Sequence, residues 1–173
     1  MRPTAARRAG GVNAVAAVPR GPSAATPARA RLRWAGLGDL EALCALFREA
    51  RPGEGNDEAE MASWLEHGGA IVLETEGRTL AALRWREEGP GWRVDPVASL
   101  PEERGMGYGR WLMTKVEAHA IRSNIPTLTL ELPSHEALSY YRRMGYRRPD
   151  PEGEPTTVVK RVGGTWQVQE GER

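Results

Sequence analysis

The chain has 173 residues, 40% of them hydrophobic, which predicts one folded domain with a tail. No apolar run approaches the roughly 18–20 residues needed to cross a bilayer, so we expect a cytoplasmic protein. The formal net charge of +1 conceals an asymmetry, because residues 1–33 hold seven arginines and no acid while the rest holds 17 basic and 23 acidic residues. An acidic body argues against broad nucleic-acid binding. The single cysteine, Cys44, excludes an internal disulfide and a thiolate metal cluster.

Residues 1–30 are rich in alanine, arginine, proline and glycine and show neither helical nor alternating periodicity. This composition predicts a disordered tail, followed by one domain over residues 31–173. A polybasic start without acids resembles a transit peptide, and a dispensable leader is the alternative interpretation.

The first half of the domain predicts two helices between strands. The elements are a strand at RLRWAG, a helix capped by Asp39 and ended by Pro52, a second helix capped by Asn56 or Asp57 and ended by Gly68-Gly69, and a hairpin of AIVLET and TLAALRWR turning at Glu76-Gly77.

The second half predicts alternating strands and helices. They are a fourth strand at WRVDPVASL, a helix over 109–122, a fifth strand at TLTLEL, a helix at SHEALSYYRRMG with Ser134 as its cap and Gly145 as its end, a strand at TTVVKRV and a further one at TWQVQ. The order β-α-α-β-β-β-α-β-α-β predicts an α/β fold with a mixed sheet. The fourth and fifth strands and the helix between them should form a right-handed unit with parallel strands.

Three alternating glycines, Gly105, Gly107 and Gly109, stand directly before the helix that starts at 109. A helix N-terminus offers free N–H groups to a phosphate, and glycines let the ligand approach the backbone closely. Arg104 and Arg110 can add charge-assisted hydrogen bonds. The alternatives are a tight turn and a dinucleotide-binding loop. The dinucleotide pattern would need its third glycine one position later, and over 60 residues of domain precede this loop.

Taken as R-x-x-G-x-G, the loop resembles the acetyl-CoA-binding motif of the GNAT superfamily of N-acetyltransferases. A second stretch, SHEALSYYRRMGYR, resembles that family's Asn-x-x-Ala-x-x-x-Tyr-x-x-x-Gly-Phe helix: Ala137, Tyr141 and Gly145 match, Tyr146 replaces the phenylalanine and Ser134 the asparagine. The resemblance covers about residues 31–162.

The resemblance implies a GNAT fold whose fourth and fifth strands splay apart, with acetyl-CoA as co-substrate. It further implies that Tyr141 is the general acid that protonates the departing thiolate, since a tyrosine pKa near 10 keeps the hydroxyl protonated at neutral pH. The implied cofactor-binding residues are Ala98, Ser99, Leu100, Arg104, Gly105, Met106, Gly107, Tyr108, Gly109, Arg110, Ser134 and Tyr141.

The general base is less specified by the sequence. Asp95 in the fourth strand is our candidate, and Glu74, Glu131 and His135 are alternatives. Pro96 removes a ladder donor, which suits a bulge in that strand.

The function that the resemblance implies is transfer of an acetyl group to a primary amine by direct attack in a ternary complex. The alternative is a non-catalytic acyl-CoA-binding sensor. We expect a small-molecule or peptide amine as acceptor, neither nucleic acid nor a membrane as partner, and an arrangement compatible with a homodimer. The acidic body favours a cationic acceptor. No HxH or HExxH spacing occurs, so no metal is predicted.

Overall fold

A computed structural model of the chain describes residues 30–54, 56–153 and 156–163. Its elements are β1 (Arg31–Ala35), α1 (Leu40–Ala50), α2 (Glu58–Glu66), β2 (Gly68–Thr75), β3 (Arg78–Glu88), β4 (Gly91–Val94), β5 (Ala98–Ser99), α3 (Tyr108–Arg122), β6 (Thr127–Glu131), α4 (Ala137–Arg143) and β7 (Thr157–Arg161). The predicted α/β class with a mixed sheet is confirmed.

The sheet follows the order β1-β2-β3-β4-β6-β7, and β5 pairs with β3 beyond the end of β4. Only β4 and β6 run parallel; every other pairing of the described strands is antiparallel. The parallel pair is joined through α3, as the predicted crossover requires. The hairpin of β2 and β3 turns at Glu76 and Gly77, both with positive φ, which matches the tight two-residue turn expected there.

The helices cover both faces of the sheet. In α1 the predicted apolar stripe is buried at Leu43, Leu46 and Phe47, and in α3 it is buried at Leu112 and Val116. Apolar side chains at helical spacing bury one face of each helix, so packing on the sheet stabilises both elements.

The two early helices start differently. Asp57 caps α2, because its carboxylate accepts the Glu60 N–H at 2.7 Å. Asp39 occupies the cap position of α1 but accepts from the Gly36 N–H and pairs with Arg33 instead. Its side chain therefore fixes the end of β1 rather than the first turn of α1.

The predicted fourth strand is two strands. β4 ends at Val94 and β5 starts at Ala98. The Asp95 N–H still donates to the Arg84 carbonyl at 2.9 Å. Pro96 has no N–H to donate, which breaks the ladder at the bulge that the proline predicted. The continuous fourth strand was therefore wrong, and the interruption is what separates β5 from β6.

Two helix starts also differ from expectation. α3 begins at Tyr108, one residue before the predicted start. α4 begins at Ala137 rather than after Ser134. The residues between Ser134 and Ala137 form tight turns. The Ala137 N–H donates to the Ser134 carbonyl at 3.3 Å, and the Leu138 N–H donates to the His135 carbonyl at 3.1 Å. This spacing of three residues is that of a 3₁₀ turn, so Ser134 does not cap the helix.

The predicted tail over residues 1–30, apart from its last residue, and the predicted strand TWQVQ lie outside the described residues. None of the helices described has the length and apolar character that crossing a membrane would require.

Candidate active site

The site lies where β4 and β6 part. Val94 and Leu130 are the last residues of the parallel pairing, and β5 continues against β3 alone. Two cavities open beside this parting, with volumes of about 530 Å³ and 320 Å³. Val97 lines the larger cavity, and Asp95 and Pro96 line the smaller one. Consecutive residues of the bulge between β4 and β5 therefore line the two cavities, and we call this bulge their junction.

The glycine loop forms one wall of the larger cavity. Gly105 and Gly107 line it with φ values of +79° and +84°, a left-handed conformation that favours glycine. Gly107 is the cap residue of α3, and the first backbone N–H groups of a helix have no partner within the helix. At Gly109 a Cβ would lie 3.0 Å from the Tyr140 hydroxyl, so a side chain there would crowd the cavity. Free N–H groups, the helix dipole and the absent side chains together fit a pyrophosphate.

Three arginines line this cavity, and they have different partners. Arg104 donates to the Ala50 carbonyl at 2.9 Å, so its charge ties the loop to the C-terminal end of α1. Arg110 and Arg143 line the cavity without a carboxylate partner in the described part of the chain. They are the cations that remain for a phosphate group.

The cavity contains most of the predicted cofactor residues. Those that line it are Ser99, Arg104, Gly105, Gly107, Tyr108, Gly109, Arg110 and Tyr141. Four predicted residues do not line it: Ala98, Leu100, Met106 and Ser134. Ala98 and Leu100 are buried, and the Leu100 N–H donates to the Leu80 carbonyl of β3. Met106 and Ser134 are exposed.

Sequence reasoning missed five residues that line the same cavity: Val97, Glu103, Tyr140, Arg143 and Met144. Three of them could have been predicted from their spacing. Tyr140, Arg143 and Met144 follow the pattern i, i+3, i+4 and lie on one face of α4 and its C-cap. Val97 could not be found this way, since its position depends on the break after β4.

Tyr141 is almost fully buried, with 4% of its surface exposed. The backbone of Val97 lies within hydrogen-bonding reach of its hydroxyl. Burial raises the pKa of Tyr141, an effect that the neighbouring Tyr140 reinforces. The hydroxyl therefore keeps its proton at neutral pH and can act as a donor at the junction of the two cavities.

Asp95 occupies the floor of the smaller cavity between two arginines. Its Oδ2 accepts the Arg84 Nε at 2.7 Å, and its Oδ1 accepts the Arg51 NH1 at 3.1 Å. Arg51 also donates to the Pro96 carbonyl. Only 4% of the Arg84 side chain and 14% of the Asp95 side chain are exposed. This cluster holds the bulge in place through its contacts with the Asp95 carboxylate and the Pro96 carbonyl.

The three other candidate bases lie in different places. Glu131 lines the smaller cavity and accepts the hydroxyls of Thr156 at 2.7 Å and Thr157 at 3.1 Å. Glu74 lies in β2 and is paired with two arginines of β1, so it belongs to the sheet edge. His135 lines neither of the two cavities. Glu131 is therefore the alternative that shares a cavity with Asp95.

A model of the acetyltransferase (GNAT) family matches residues 40–146. The chain belongs to the GNAT acetyltransferase family. The matched span runs from α1 through the glycine loop to the end of the α4 region, and it confirms the resemblance inferred from the sequence. A curated relative, the S-alkylcysteine N-acetyltransferase of Bacillus subtilis, is 35% identical over 94 residues, which cover 47% of this chain and 53% of the relative. The chain thus spans about half the length of that relative.

Solved structures share the GNAT fold. The ribosomal-protein-S18-alanine N-acetyltransferase of Escherichia coli superimposes with a TM-score of 0.67 at 16% identity, covering 80% of this chain and 97% of that one. A GNAT acetyltransferase from Brucella melitensis in complex with acetyl-CoA gives 0.63 at 18% identity, covering 79% and 90%. The Thermoplasma acidophilum PaiA N-acetyltransferase in complex with coenzyme A gives 0.65 at 13% identity, covering 76% and 98%. These complexes agree with acetyl-CoA as the expected co-substrate of the family to which the chain belongs.

Proposed function

We propose that the protein transfers the acetyl group of acetyl-CoA to a primary amine by direct attack in a ternary complex. The observation that carries this proposal is the position of two cavities next to each other at the bulge after β4. The larger cavity has the features that a pyrophosphate and pantetheine arm require, and the smaller one offers carboxylates to an amine. The relatives are named for acceptors as different as S-alkylcysteine and an alanine of a ribosomal protein, so the acceptor has to be inferred from the cavity itself.

Acetyl-CoA would lie with its pyrophosphate on the N-terminus of α3 and its pantetheine arm along β5. Alternate N–H groups of a strand point to opposite sides. The Leu100 N–H is directed at β3, so the Ser99 N–H faces the other way, toward the parting. The thioester would then reach the bulge, where the Val97 N–H can donate to its carbonyl oxygen in place of the Tyr141 hydroxyl.

The reaction would proceed in three steps. A carboxylate first takes a proton from the ammonium group of the acceptor. The free amine nitrogen then attacks the thioester carbonyl carbon, forming a C–N bond and placing negative charge on the carbonyl oxygen. Finally the C–S bond breaks as the sulfur receives the proton of the Tyr141 hydroxyl, and the resulting tyrosinate takes the second proton of the nitrogen, directly or through water, leaving the acetylated amine and CoA with a free thiol. The carboxylate returns its proton to solvent.

We propose Asp95 as the base, because it directly adjoins the bulge that would hold the thioester. Glu131 is the alternative, because no arginine pairs with it in the described part of the chain. The two can be separated by the pH dependence of kcat/KM in Asp95→Asn and Glu131→Gln. The base is the residue whose substitution removes the fall of kcat/KM at low pH, while the other variant keeps that fall.

The test of the overall proposal combines binding with turnover. Saturating acetyl-CoA should raise the melting temperature, because it binds only the folded state, whereas NAD should not. An acceptor screen that follows release of the CoA thiol should then find an amine that turns over. Binding of acetyl-CoA without transfer to any amine would favour the sensor alternative, and a shift with NAD alone would favour the dinucleotide alternative.

A further inference from the structure

Two arginines stand directly opposite each other in the wall of the smaller cavity. Arg86 of β3 pairs with Arg93 of β4 in the antiparallel register, so both side chains share one face of the sheet. Directly opposite residues have Cβ atoms about 4.5–5.5 Å apart, and like charges at that spacing destabilise a sheet. An anion bound between them would replace the repulsion with charge-assisted hydrogen bonds.

The described part of the chain supplies little negative charge to this pair. Arg86 has no carboxylate partner there, and its guanidinium lies 4.7 Å above the centre of the Trp64 ring. Arg93 reaches only Glu88, at 3.6 Å, and 34% and 49% of those two side chains are exposed, so the interaction is weak. The other two arginines of the cavity, Arg51 and Arg84, are instead paired with Asp95. Arg51 also pairs with Glu54 and Arg84 with Glu60, and both glutamates line the same cavity.

The opposite end of the cavity is acidic. Asp95 follows Arg93 by two residues, one residue beyond the end of β4, where its N–H still donates to the Arg84 carbonyl of β3. Glu131 follows Thr129, the parallel partner of Arg93, by two residues. At about 3.3 Å per residue, the Cα atoms of this acidic row lie roughly 6.6 Å beyond those of the basic row. A short molecule that carries both an amine and a carboxylate matches this close spacing of acidic and basic side chains.

We infer that the acceptor is an amino acid or a close analogue, bound with its ammonium group at the acidic row and its carboxylate at the Arg86–Arg93 pair. This inference rests on the proposed function, because it specifies the amine of that reaction. It differs from the cationic acceptor that the acidic balance of residues 34–173 favoured, since both signs of charge face the cavity and suit a zwitterion. The amine end would lie beside the bulge at Val97, where the thioester is expected.

The test compares acceptors that differ only at the carboxylate. The common L-amino acids and the primary amide of each are screened for release of the CoA thiol. At least one acid should turn over, with a kcat/KM roughly 10- to 100-fold above that of its amide, because the amide cannot form the charge-assisted hydrogen bonds.

Variants link this preference to the arginine pair. In Arg86→Gln and Arg93→Gln the ratio of kcat/KM for the acid to that for its amide should fall to near one, mainly through a higher KM for the acid. The affinity for acetyl-CoA should stay as in the parent. Arg31→Gln is the matched control, because its side chain is 72% exposed and pairs with Glu74 at the far edge of the sheet. It should retain the full preference. Circular dichroism and the melting temperature show whether each variant is folded.

A binding measurement separates this inference from the proposed function. The same amino acids and amides are titrated into the protein–CoA complex by calorimetry. Binding of an acid that is lost in Arg86→Gln, without any turnover, supports the carboxylate site and contradicts the transferase. Turnover of amides or simple amines as good as that of the acids supports the transferase and overturns the carboxylate site. If no acid binds or turns over, the carboxylate site is also overturned.

Discussion

At the scale of single residues, the junction of the two cavities depends on Tyr141. Its hydroxyl is buried beside the bulge, within hydrogen-bonding reach of the Val97 backbone. The residue therefore combines a packing role in the core with a proton donor at the place where a thiolate would form. Phenylalanine preserves the packing and removes the proton, so one substitution separates these two roles.

We predict that Tyr141→Phe lowers kcat roughly 10²- to 10⁴-fold, the usual contribution of a positioned general acid. The affinity for acetyl-CoA should change much less. Steady-state kinetics with an acceptor from the screen measure both. The control is Tyr146→Phe, because Tyr146 is fully buried, bonded to Glu117 and outside both cavities. Tyr140 is unsuitable as a control, because it lines the larger cavity. Parental turnover by Tyr141→Phe would assign the tyrosine to packing alone.

Asp95 has a structural role in addition to its proposed catalytic one. Its carboxylate is the partner of the nearly buried Arg84, whose one other carboxylate partner among the described residues is Glu60, at 3.4 Å. We predict that Asp95→Ala lowers the free energy of unfolding by on the order of 3 kcal/mol, because removing one partner leaves a buried charge uncompensated. Urea unfolding monitored by circular dichroism measures this loss.

The matched control is Glu74→Ala, which removes a carboxylate that also pairs with two arginines, but with arginines whose side chains are 72% and 34% exposed. It should cost about 1 kcal/mol or less, since exposed ion pairs contribute little. An equal loss in the two variants would mean that the Asp95 cluster is not especially important for the fold.

At the scale of elements, the loop before α3 joins sequence pattern to function most directly. Gly107 caps the helix with a φ of +84°. We predict that Gly107→Val abolishes detectable binding of acetyl-CoA while the domain remains folded, because a β-branched residue is strained at positive φ and its side chain would project toward the phosphate space. Calorimetry with acetyl-CoA and the melting temperature of the variant test the two parts.

Gly36→Val is the control for the size of the substitution. Gly36 has a φ of −133°, and a Cβ there meets nothing within 4 Å. This variant should bind acetyl-CoA as the parent does. Unchanged affinity in a folded Gly107→Val protein would show that the loop is only a turn.

Features carried by short stretches could be predicted from the sequence. The glycine loop, the stripe of α3, the hairpin turn and the parallel crossover each depend on neighbouring residues, and the structure has them where expected. The bulge was foreseen from Pro96, but the length of the break after Val94 was not. That break depends on which strand pairs with β3 at each position, and pairing of distant strands is not encoded locally.

The charges of the smaller cavity could not be predicted for the same reason. The Arg86–Arg93 pair exists only because of the register between β3 and β4. The arginines that hold Asp95 come from α1 and β3, far apart in sequence. A candidate base could be picked from the residue type, whereas its partners required the fold.

At the scale of the whole molecule, buried tyrosines make stability depend on alkaline pH. Burial raises the pKa of Tyr141 and, together with the nearby Glu117 carboxylate, that of Tyr146 from a usual value near 10. In the unfolded chain these hydroxyls lose their protons around pH 10. The folded state holds them to higher pH. Above about pH 10 the unfolded state therefore binds fewer protons, and the free energy of unfolding falls as the pH rises.

We predict that stability is independent of these two groups up to about pH 9 and then declines by about 1.4 kcal/mol per pH unit for each of them, until the folded hydroxyls also ionise. Burial also raises the pKa of Tyr108, Tyr140 and Cys44, so these groups contribute to the alkaline decline as well. Urea unfolding at a series of pH values between neutral and strongly alkaline gives the total slope. Tyr141→Phe should reduce that slope by the contribution of one tyrosine, because it removes one ionisable hydroxyl. The difference in tyrosinate absorbance between parent and variant should appear only on unfolding. Two results would show that the Tyr141 hydroxyl is open to solvent: a slope in the variant equal to that of the parent, or tyrosinate absorbance from Tyr141 in the folded protein near pH 10. Either result would contradict the buried proton donor proposed at the junction of the two cavities.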